Sequence, residues 1–190
     1  RVLKMMNDAT QFLEVADRIA CVLCRDAIWN RDQCTWMGWN KEQINHQWQN
    51  AYCSMSVDLY GGTSGIALFL AEIYRHTNDS EQLRALEGAV AHASANIHRI
   101  QRGLELGLYT GQIGIALALV RIGEILQRDS LLNQGLGMME RIAEQFLGKL
   151  LVDVLSGSAG LISVLLRMSQ RYKITSLFEK AIAHGEDIAA

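Results

Sequence analysis

The sequence contains one short phrase three times, and this repeat limits the folds that the chain can adopt. Each copy has two glycines three positions apart and continues into small or aliphatic residues: residues 58–68 read DLYGGTSGIAL, residues 107–117 read GLYTGQIGIAL, and residues 153–163 read DVLSGSAGLIS. The copies start 49 and then 46 residues apart, which leaves room for two helices and two connections in each unit. We therefore predict a helical-hairpin repeat.

The two helices of each unit differ in their hydrophobic pattern. The residues that follow each phrase, over 66–74, 115–122 and 161–168, are apolar on almost every side, which predicts buried inner helices. The partner segments, over 83–100 and 132–150, carry one apolar stripe at helical spacing, which predicts amphipathic outer helices. A further outer helix is predicted before the first phrase, with this stripe turned inward: Met5, Ala9, Phe12, Ala16, Ile19 and Leu23.

Composition supports an all-α fold and excludes several functions. The 190 residues are 49% apolar and include no proline, where average usage would supply about nine or ten. Eighteen Lys and Arg residues against 20 Asp and Glu residues give a net charge of -2, and both signs are scattered along the chain. No basic patch for nucleic acid is present, and no apolar run approaches the roughly 18 to 20 residues of a transmembrane helix.

Buried inner helices surrounded by amphipathic ones fit either an open α-solenoid or a closed α/α toroid. Closing a ring with units of about 47 residues would take roughly 280 to 330 residues, whereas this chain holds about three and a half hairpins. If the architecture is a toroid, residues 1–190 are therefore only a fragment of it. The partial toroid would leave an apolar edge for the missing C-terminal half to cover.

We interpret the glycines of the phrase as structural. Without side chains they would permit close approach of the neighbouring inner helix, and they would let the turn take φ values that other residues avoid. This interpretation covers the six repeat-motif positions Gly62, Gly65, Gly111, Gly114, Gly157 and Gly160. A phosphate cradle over residues 61–65 is the alternative, but it lacks a P-loop lysine and a preceding strand.

The four cysteines all lie within the first 53 residues, and their spacing matches no familiar zinc site. We interpret Cys21 and Cys24 as core thiols of a helix, in a reducing cytoplasm. A zinc site would need two further ligands from Cys34, His46 or Cys53. The five histidines show no metal-binding spacing, so surface or cap positions are expected for them and no metal ligand is assigned.

The segment from Trp29 to Ser56 contains all four tryptophans among Asn, Gln and Cys residues. We interpret it as a long aromatic connection between the first outer helix and the first repeat. Asp58 and Asp153 stand four residues before a motif glycine, so both are expected at one end of the ring. A helix cap or a loop turn explains them as well as catalysis does.

The three phrases resemble the repeat of the lanthionine synthetase C-like family, whose α/α toroid has Gly-x-x-Gly segments before its inner helices. The segment Asp153-Val-Leu-Ser-Gly157-Ser-Ala-Gly160 is similar to the family's Asp-Val-Ile-x-Gly-x-x-Gly segment, which carries a catalytic Asp. The phrase Cys34-Thr-Trp36-Met-Gly38 resembles one that opens the cyclase domains of type 2 lanthipeptide synthetases.

The resemblance implies a cytoplasmic, bacterial cyclase of lantibiotic biosynthesis that modifies a precursor peptide. In that reaction a peptide cysteine thiolate, activated on zinc, adds to dehydroalanine or dehydrobutyrine and forms a thioether ring. Asp153 matches the family's catalytic position, whereas the family's zinc ligands and catalytic His are expected beyond residue 190. The resemblance thus implies that residues 1–190 form a single domain fragment, the N-terminal half of an α/α toroid. This fragment alone is expected to bind no catalytic zinc and to be inactive.

Two other functions fit the sequence pattern. A helical-repeat scaffold would bind protein or peptide partners through its concave face. An α/α-toroid glycoside-processing enzyme would use paired carboxylates, and Asp58 with Asp153 could supply such a pair.

Overall fold

The computed structural model describes residues 2–45, 47–145 and 151–189. The described helices are α1 (Val2–Asp26), α2 (Thr63–Thr77), α3 (Ser80–Ala95), α4 (Gln112–Leu126), α5 (Asp129–Gln145), α6 (Ser158–Tyr172) and α7 (Thr175–Ala189). The strands are β1 (Ile28–Asn30), β2 (Gln33–Thr35), β3 (Met37–Ile44) and β4 (Gln47–Ser54). The predicted alternation of outer and inner helices is confirmed, and the chain forms a mostly helical, partial α/α toroid.

The inner helices α2, α4 and α6 each begin just after the first glycine of a motif. Each packs against the outer helix that follows it, and α4 also contacts both other inner helices. The middle helix, α4, is the most enclosed because it has an inner helix on either side. Its buried side chains include Ile113, Ile115 and Ile122, whose truncation to alanine would each cost about 2–5 kcal/mol.

The outer helix α1 only partly follows the predicted stripe. Its buried contact is Ala20, and Asp17 Oδ1 accepts a 2.7 Å hydrogen bond from Gln82 Nε2 of α3. Phe12 is 75% exposed and Ile19 is 50% exposed, so the prediction is wrong for these two. The reason is that α1 contacts α2 and α3 through its small residues. The side chains of Met5 and Ala9, like residues Phe146 and Leu150 of the second stripe, lie outside the described residues.

The predicted aromatic connection forms two antiparallel β-hairpins, β1–β2 and β3–β4, which the sequence pattern did not indicate. Trp36, which links the two hairpins in sequence, is buried, and its Nε1 donates a 2.8 Å hydrogen bond to the carbonyl of Leu23. The turns place Arg31 and Asn45 at φ 59° and 52°. Because neither turn contains glycine or proline, the usual hairpin signal is missing from the sequence.

In the described part of the chain, no helix combines the length and the apolar character that crossing a membrane would require.

Candidate active site

The three motif loops lie side by side at the N-terminal ends of the inner helices. Backbone hydrogen bonds join equivalent positions of successive loops: the amide of Tyr60 donates to the carbonyl of Tyr109 at 3.0 Å, and the amide of Tyr109 donates to that of Leu155, also at 3.0 Å. The loops therefore form a continuous row at one end of the toroid. Any group carried by one loop is held at a defined place relative to the others.

Each loop also folds back onto the start of its own helix. The amide of Thr63 donates to the carbonyl of Ser56 at 2.9 Å, and the amides of Gln112 and Ser158 make the equivalent 2.8 Å bonds in the other two units. These bonds occupy the first helical amides, which an anion would otherwise bind. In the first loop, Asp58 Oδ1 also accepts from the amide of Gly61. Two amides of the segment 61–65 are therefore already bonded within the protein, which disfavours a phosphate cradle there.

The first glycine of each motif is the N-cap of an inner helix. Gly62, Gly111 and Gly157 have φ values of -126°, -113° and -124°, which are ordinary extended conformations. The expectation that they adopt φ values closed to other residues is therefore wrong. What excludes a side chain is space, because a Cβ on Gly111 would lie 2.1 Å from the carbonyl oxygen of Leu104.

The second glycine of each motif packs closely against a backbone carbonyl of its own loop. A Cβ on Gly114 would lie 2.0 Å from the oxygen of Leu108, and the equivalent distances at Gly65 and Gly160 are 2.2 Å and 2.3 Å. The preceding loop also reaches these positions: the Cβ of Leu59 would be 3.0 Å from a Cβ on Gly114. The close approach is therefore made by loops, whereas the sequence analysis assigned it to neighbouring helices.

The two motif aspartates occupy equivalent turns. Oδ1 of Asp153 accepts a 2.9 Å hydrogen bond from the amide of Ser156, and Oδ1 of Asp58 accepts one of 2.9 Å from the amide of Tyr60. Of the alternatives left open by the sequence, the loop turn describes their local role. Neither aspartate caps a helix, since the N-caps of α2 and α6 are glycines without a side-chain bond. The middle loop carries Gly107 instead.

The surroundings of Asp153 combine a fixed loop with exposed apolar side chains. Oγ1 of Thr110 lies 3.0 Å from Oγ of Ser156, so the second loop is tied to the turn that holds Asp153. Asp153 itself is exposed. About half of the surface of Val154 and Leu155 is also accessible. This arrangement presents an oriented carboxylate beside an apolar surface.

Two histidines take structural roles that the sequence did not indicate. His92 of α3 is buried with Nδ1 3.1 Å from Oγ1 of Thr63, the first residue of α2, and His184 of α7 is buried with Nε2 3.1 Å from the carbonyl oxygen of Ala143. Burial, with a smaller effect of the Arg99 charge, lowers the pKa of His92. Surface or cap positions were wrong for these two, and His46 lies outside the described residues.

Two of the four cysteines lie in surroundings that disfavour zinc binding. Cys34 is buried and its Sγ lies 3.3 Å from the carbonyl oxygen of Ala85, while burial raises its pKa to about 12. Burial, helped by the charge of Asp79, raises the pKa of Cys24 to about 11. Zinc binds thiolates, which these environments disfavour. Cys21 is exposed, so its assignment to the core is wrong.

The described ranges 2–45, 47–145 and 151–189 contain no cluster of three or more His, Cys, Asp or Glu side chains able to hold a metal.

A second polar feature lies on the inner helices themselves. Nε of Arg121 contacts Oε1 of Glu72 at 2.7 Å, and Nε of Arg171 contacts Oε1 of Glu124 at 2.6 Å. Tyr172 also donates to Glu124, so one network joins α2, α4 and α6 beside a groove of about 400 Å³. Sequence reasoning missed this network. Its signal was the recurrence of opposite charges 49 and 47 residues apart, close to the repeat period.

Burial raises the pKa of the Glu124 carboxyl, but hydrogen bonds from Tyr172, Arg121 and then Arg171 outweigh this effect and lower it overall. Glu124 is therefore held as a carboxylate and links α4 to α6. The network does not involve the motif loops, because its members lie on the helices. We assign it a structural role.

Helical hairpins whose inner helices start at Gly-x-x-Gly loops define a repeat protein of the α/α toroid class. A family model described as lanthionine synthetase C-like protein matches residues 54–189, and the chain belongs to this family. The resemblance of the three repeated phrases to this family is thereby confirmed. No curated protein matches the chain.

Proposed function

We propose that the chain is part of a lanthionine synthetase that adds peptide cysteine thiols to dehydroalanine or dehydrobutyrine, with Asp153 as a catalytic residue. Membership of the family supports a lanthionine synthetase-type role and a peptide substrate in general terms. The observation that carries the finer proposal is the exposed carboxylate of Asp153, oriented by the amide of Ser156 at 2.9 Å. The phrase around Trp36 supports an origin in a type 2 synthetase.

The reaction makes one carbon–sulfur bond and loses no atoms. The thiol loses its proton, the sulfur bonds to the β-carbon of the dehydro residue, the double-bond electrons move to the α-carbon, and a proton is delivered to that carbon. Asp153 would accept a hydrogen bond from the substrate thiol, orient it and hold its proton. Because Oδ1 is fixed by the turn, the carboxylate needs no rearrangement when the thiol arrives.

The apolar side chains beside Asp153 would assist binding. Val154 and Leu155 follow it directly, and each exposes about half of its surface. Contact with apolar side chains of a peptide would remove water from this end of the toroid, which strengthens the hydrogen bond between carboxylate and thiol.

The cofactor that the resemblance implies is zinc, and the described thiols do not fit it. We propose that its ligands and the family's catalytic histidine lie beyond residue 190, in the other half of the toroid. The 190-residue chain by itself is then expected to hold no catalytic zinc and to form no rings. A precursor peptide would bind across both halves, in a bacterial cytoplasm.

Zinc analysis tests the placement of the metal. Elemental analysis should find about one zinc per chain in a longer form that continues past residue 190 and none in the 190-residue form. Zinc in neither form would favour the helical scaffold. Zinc bound by the 190-residue form would contradict this placement and favour the cysteines as ligands.

Ring formation tests Asp153 directly. Addition leaves the peptide mass unchanged, so the readout is the loss of thiols that N-ethylmaleimide can alkylate in a dehydrated peptide. In the longer form, Asp153→Asn should keep the turn but slow ring formation at least about a hundredfold. Asp129→Asn, which changes an exposed carboxylate on the outer helix α5, is the control. Unchanged activity of Asp153→Asn would refute its catalytic role.

A further inference from the structure

The β3–β4 hairpin presents an aromatic face whose purpose the family does not explain. Trp39 pairs with Tyr52, and Lys41 pairs with Asn50. Directly opposed residues share one face of an antiparallel pair, and alternate positions along a strand return to it. Trp48, two positions before Asn50, therefore lies on this face too. The family match starts at residue 54, so the whole face lies outside it apart from the end of β4.

These aromatic rings are unusually accessible. Trp39, Trp48 and Tyr52 expose 76%, 69% and 58% of their surfaces, and the rings of Trp39 and Tyr52 are 5.5 Å apart in a tilted arrangement. Exposed tryptophan and tyrosine side chains grouped on one surface are typical of binding sites, because they bury much apolar area at little cost in conformational entropy.

A groove of about 470 Å³ separates this face from the motif loops. Lys41 and Trp48 line its hairpin side. Arg99 and Gln101, at and just after the short 3-10 helix Ile97–Arg99, line another part, and Asp58 and Thr110 of the motif loops complete it.

The charge in this groove favours a carboxylate-bearing ligand. Neither Lys41 nor Arg99 makes an ion pair with any side chain that the structure describes. Asp58 is the acidic lining residue, and its Oδ1 already accepts from the amides of Tyr60 and Gly61 at 2.9 Å and 2.7 Å. Among the described side chains, two cations without an ion-pair partner thus line the groove with one carboxylate, which is largely engaged in its own turn.

The remaining lining groups suit a polypeptide main chain. Gln101 and Ser54 carry side-chain donors and acceptors suited to peptide amides and carbonyls. A nucleic acid fits less well, because it carries a phosphate for every nucleotide whereas the groove is lined by two cationic side chains and one carboxylate. The aromatic face adds a surface on which apolar side chains can pack.

The groove also leads toward Asp153. Thr110 lines it, and Oγ1 of Thr110 lies 3.0 Å from Oγ of Ser156, whose amide holds Asp153. We propose that the β3–β4 hairpin and the groove beneath it bind an extended, acidic peptide segment and direct the following residues to Asp153. This inference rests on the proposed function, since the bound peptide would be the substrate of that reaction.

Binding can be measured without any ring formation, so the two proposals can fail separately. The probes are two fluorescein-labelled 16-residue peptides of Ser, Thr, Ala, Leu and Tyr, one with six Glu residues and the other with Lys at those six positions. Fluorescence anisotropy with the 190-residue chain at low and physiological salt should show binding of the acidic peptide alone, weakened by salt.

The variants test which side chains carry the binding. The double variant Lys41→Glu, Arg99→Glu should weaken binding at least about tenfold, as should Trp48→Ala. The control is Arg18→Glu, Arg141→Glu, which makes the same change in net charge on exposed parts of α1 and α5 and should leave the affinity nearly unchanged. Circular dichroism would confirm that all variants keep their helices.

Several outcomes would overturn the inference. These are equal binding of the basic peptide, an equal loss in the control double variant, no binding of the acidic peptide at millimolar concentration, and binding of a 16-nucleotide polythymidine as tight as that of the acidic peptide. If the acidic peptide binds as expected but Asp153→Asn keeps full ring-forming activity in the longer form, the groove stands and the catalytic proposal fails.

Discussion

The second and third motif loops share one sequence pattern but have different neighbours. In the second loop, the Cβ of Leu108 reaches to 2.9 Å from where a Cβ on Gly160 would stand, so this loop is covered by the third repeat. Val154 occupies the equivalent position in the third loop and is about half exposed. Burial at this position is therefore decided by the next repeat rather than by the loop itself.

The backbone hydrogen bonds of the loops, and the burial of the residue just before each loop, differ in the same way. The amides of Tyr60 and Tyr109 donate to the next loop, whereas among the described residues no acceptor pairs with the amide of Leu155. Leu106 is 2% exposed and the equivalent Val152 is 53% exposed. The second glycine of a loop receives a side chain of the preceding loop, and we call this position the socket. The side chain that enters it, Leu59 at Gly114 and Leu108 at Gly160, is called the plug.

The largest effect is expected from filling a socket. Gly114→Ala would place a Cβ 2.0 Å from the oxygen of Leu108, and backbone cannot move aside cheaply. We expect the free energy of unfolding to fall by at least about 3 kcal/mol in urea denaturation. Gly137→Ala on α5 is the matched control, since its Cβ would meet only the end of the Arg141 side chain at 3.6 Å. The control should gain about 0.5–1 kcal/mol from helix propensity, and equal losses in both variants would contradict the socket.

Truncating the plugs gives the next largest effect. Leu108→Ala removes a partly buried side chain packed on the core, so we expect a loss of about 2 kcal/mol. Val154→Ala changes an exposed side chain and should alter stability by no more than about 0.5 kcal/mol in the same assay. Similar losses for both would show that the loops do not depend on their neighbours.

The ion network links α6 to α4, and α4 to α2, although no further loop packs on the loop before α6 among the described residues. Glu124→Gln should lower stability by about 1 kcal/mol at neutral pH, because it weakens hydrogen bonds to two arginines. Since the pKa of Glu124 is lower in the folded state, its contribution is complete above the ordinary value of 4.5 and is lost as pH falls through the folded pKa. Urea denaturation across this range should show a shallower acid loss in the variant than in the native chain.

The smallest effect concerns the link between α3 and the start of α2. The pKa of His92 is lower in the folded state, so its neutral form is favoured there and stability falls as pH drops below the ordinary value of 6.5. In His92→Gln this part of the pH dependence should disappear, as measured by thermal melts at several pH values. His98→Gln, at an exposed position, is the control and should retain it.

Much of the fold could be predicted from local pattern. The motif spacing predicted the hairpin repeat, and the apolar runs predicted the inner helices. Because Asp153 stands four residues before Gly157, the sequence also predicted its position at one end of the ring. The two β-hairpins could not be found in the same way, because their turns at Arg31 and Asn45 carry no glycine and their polar residues occur on both faces.

The sequence by itself determined the repeat and the helix types, because these depend on spacing and on hydrophobic period within single segments, and the resemblance of its motifs indicated the family. The tertiary structure alone decided which apolar residues are covered, as Phe12, Leu108 and Val154 illustrate. It also decided that Lys41 and Arg99, 58 positions apart in the sequence, share one groove. The physical reason is that burial and charge pairing depend on neighbours brought together from distant segments, and no local pattern contains that information.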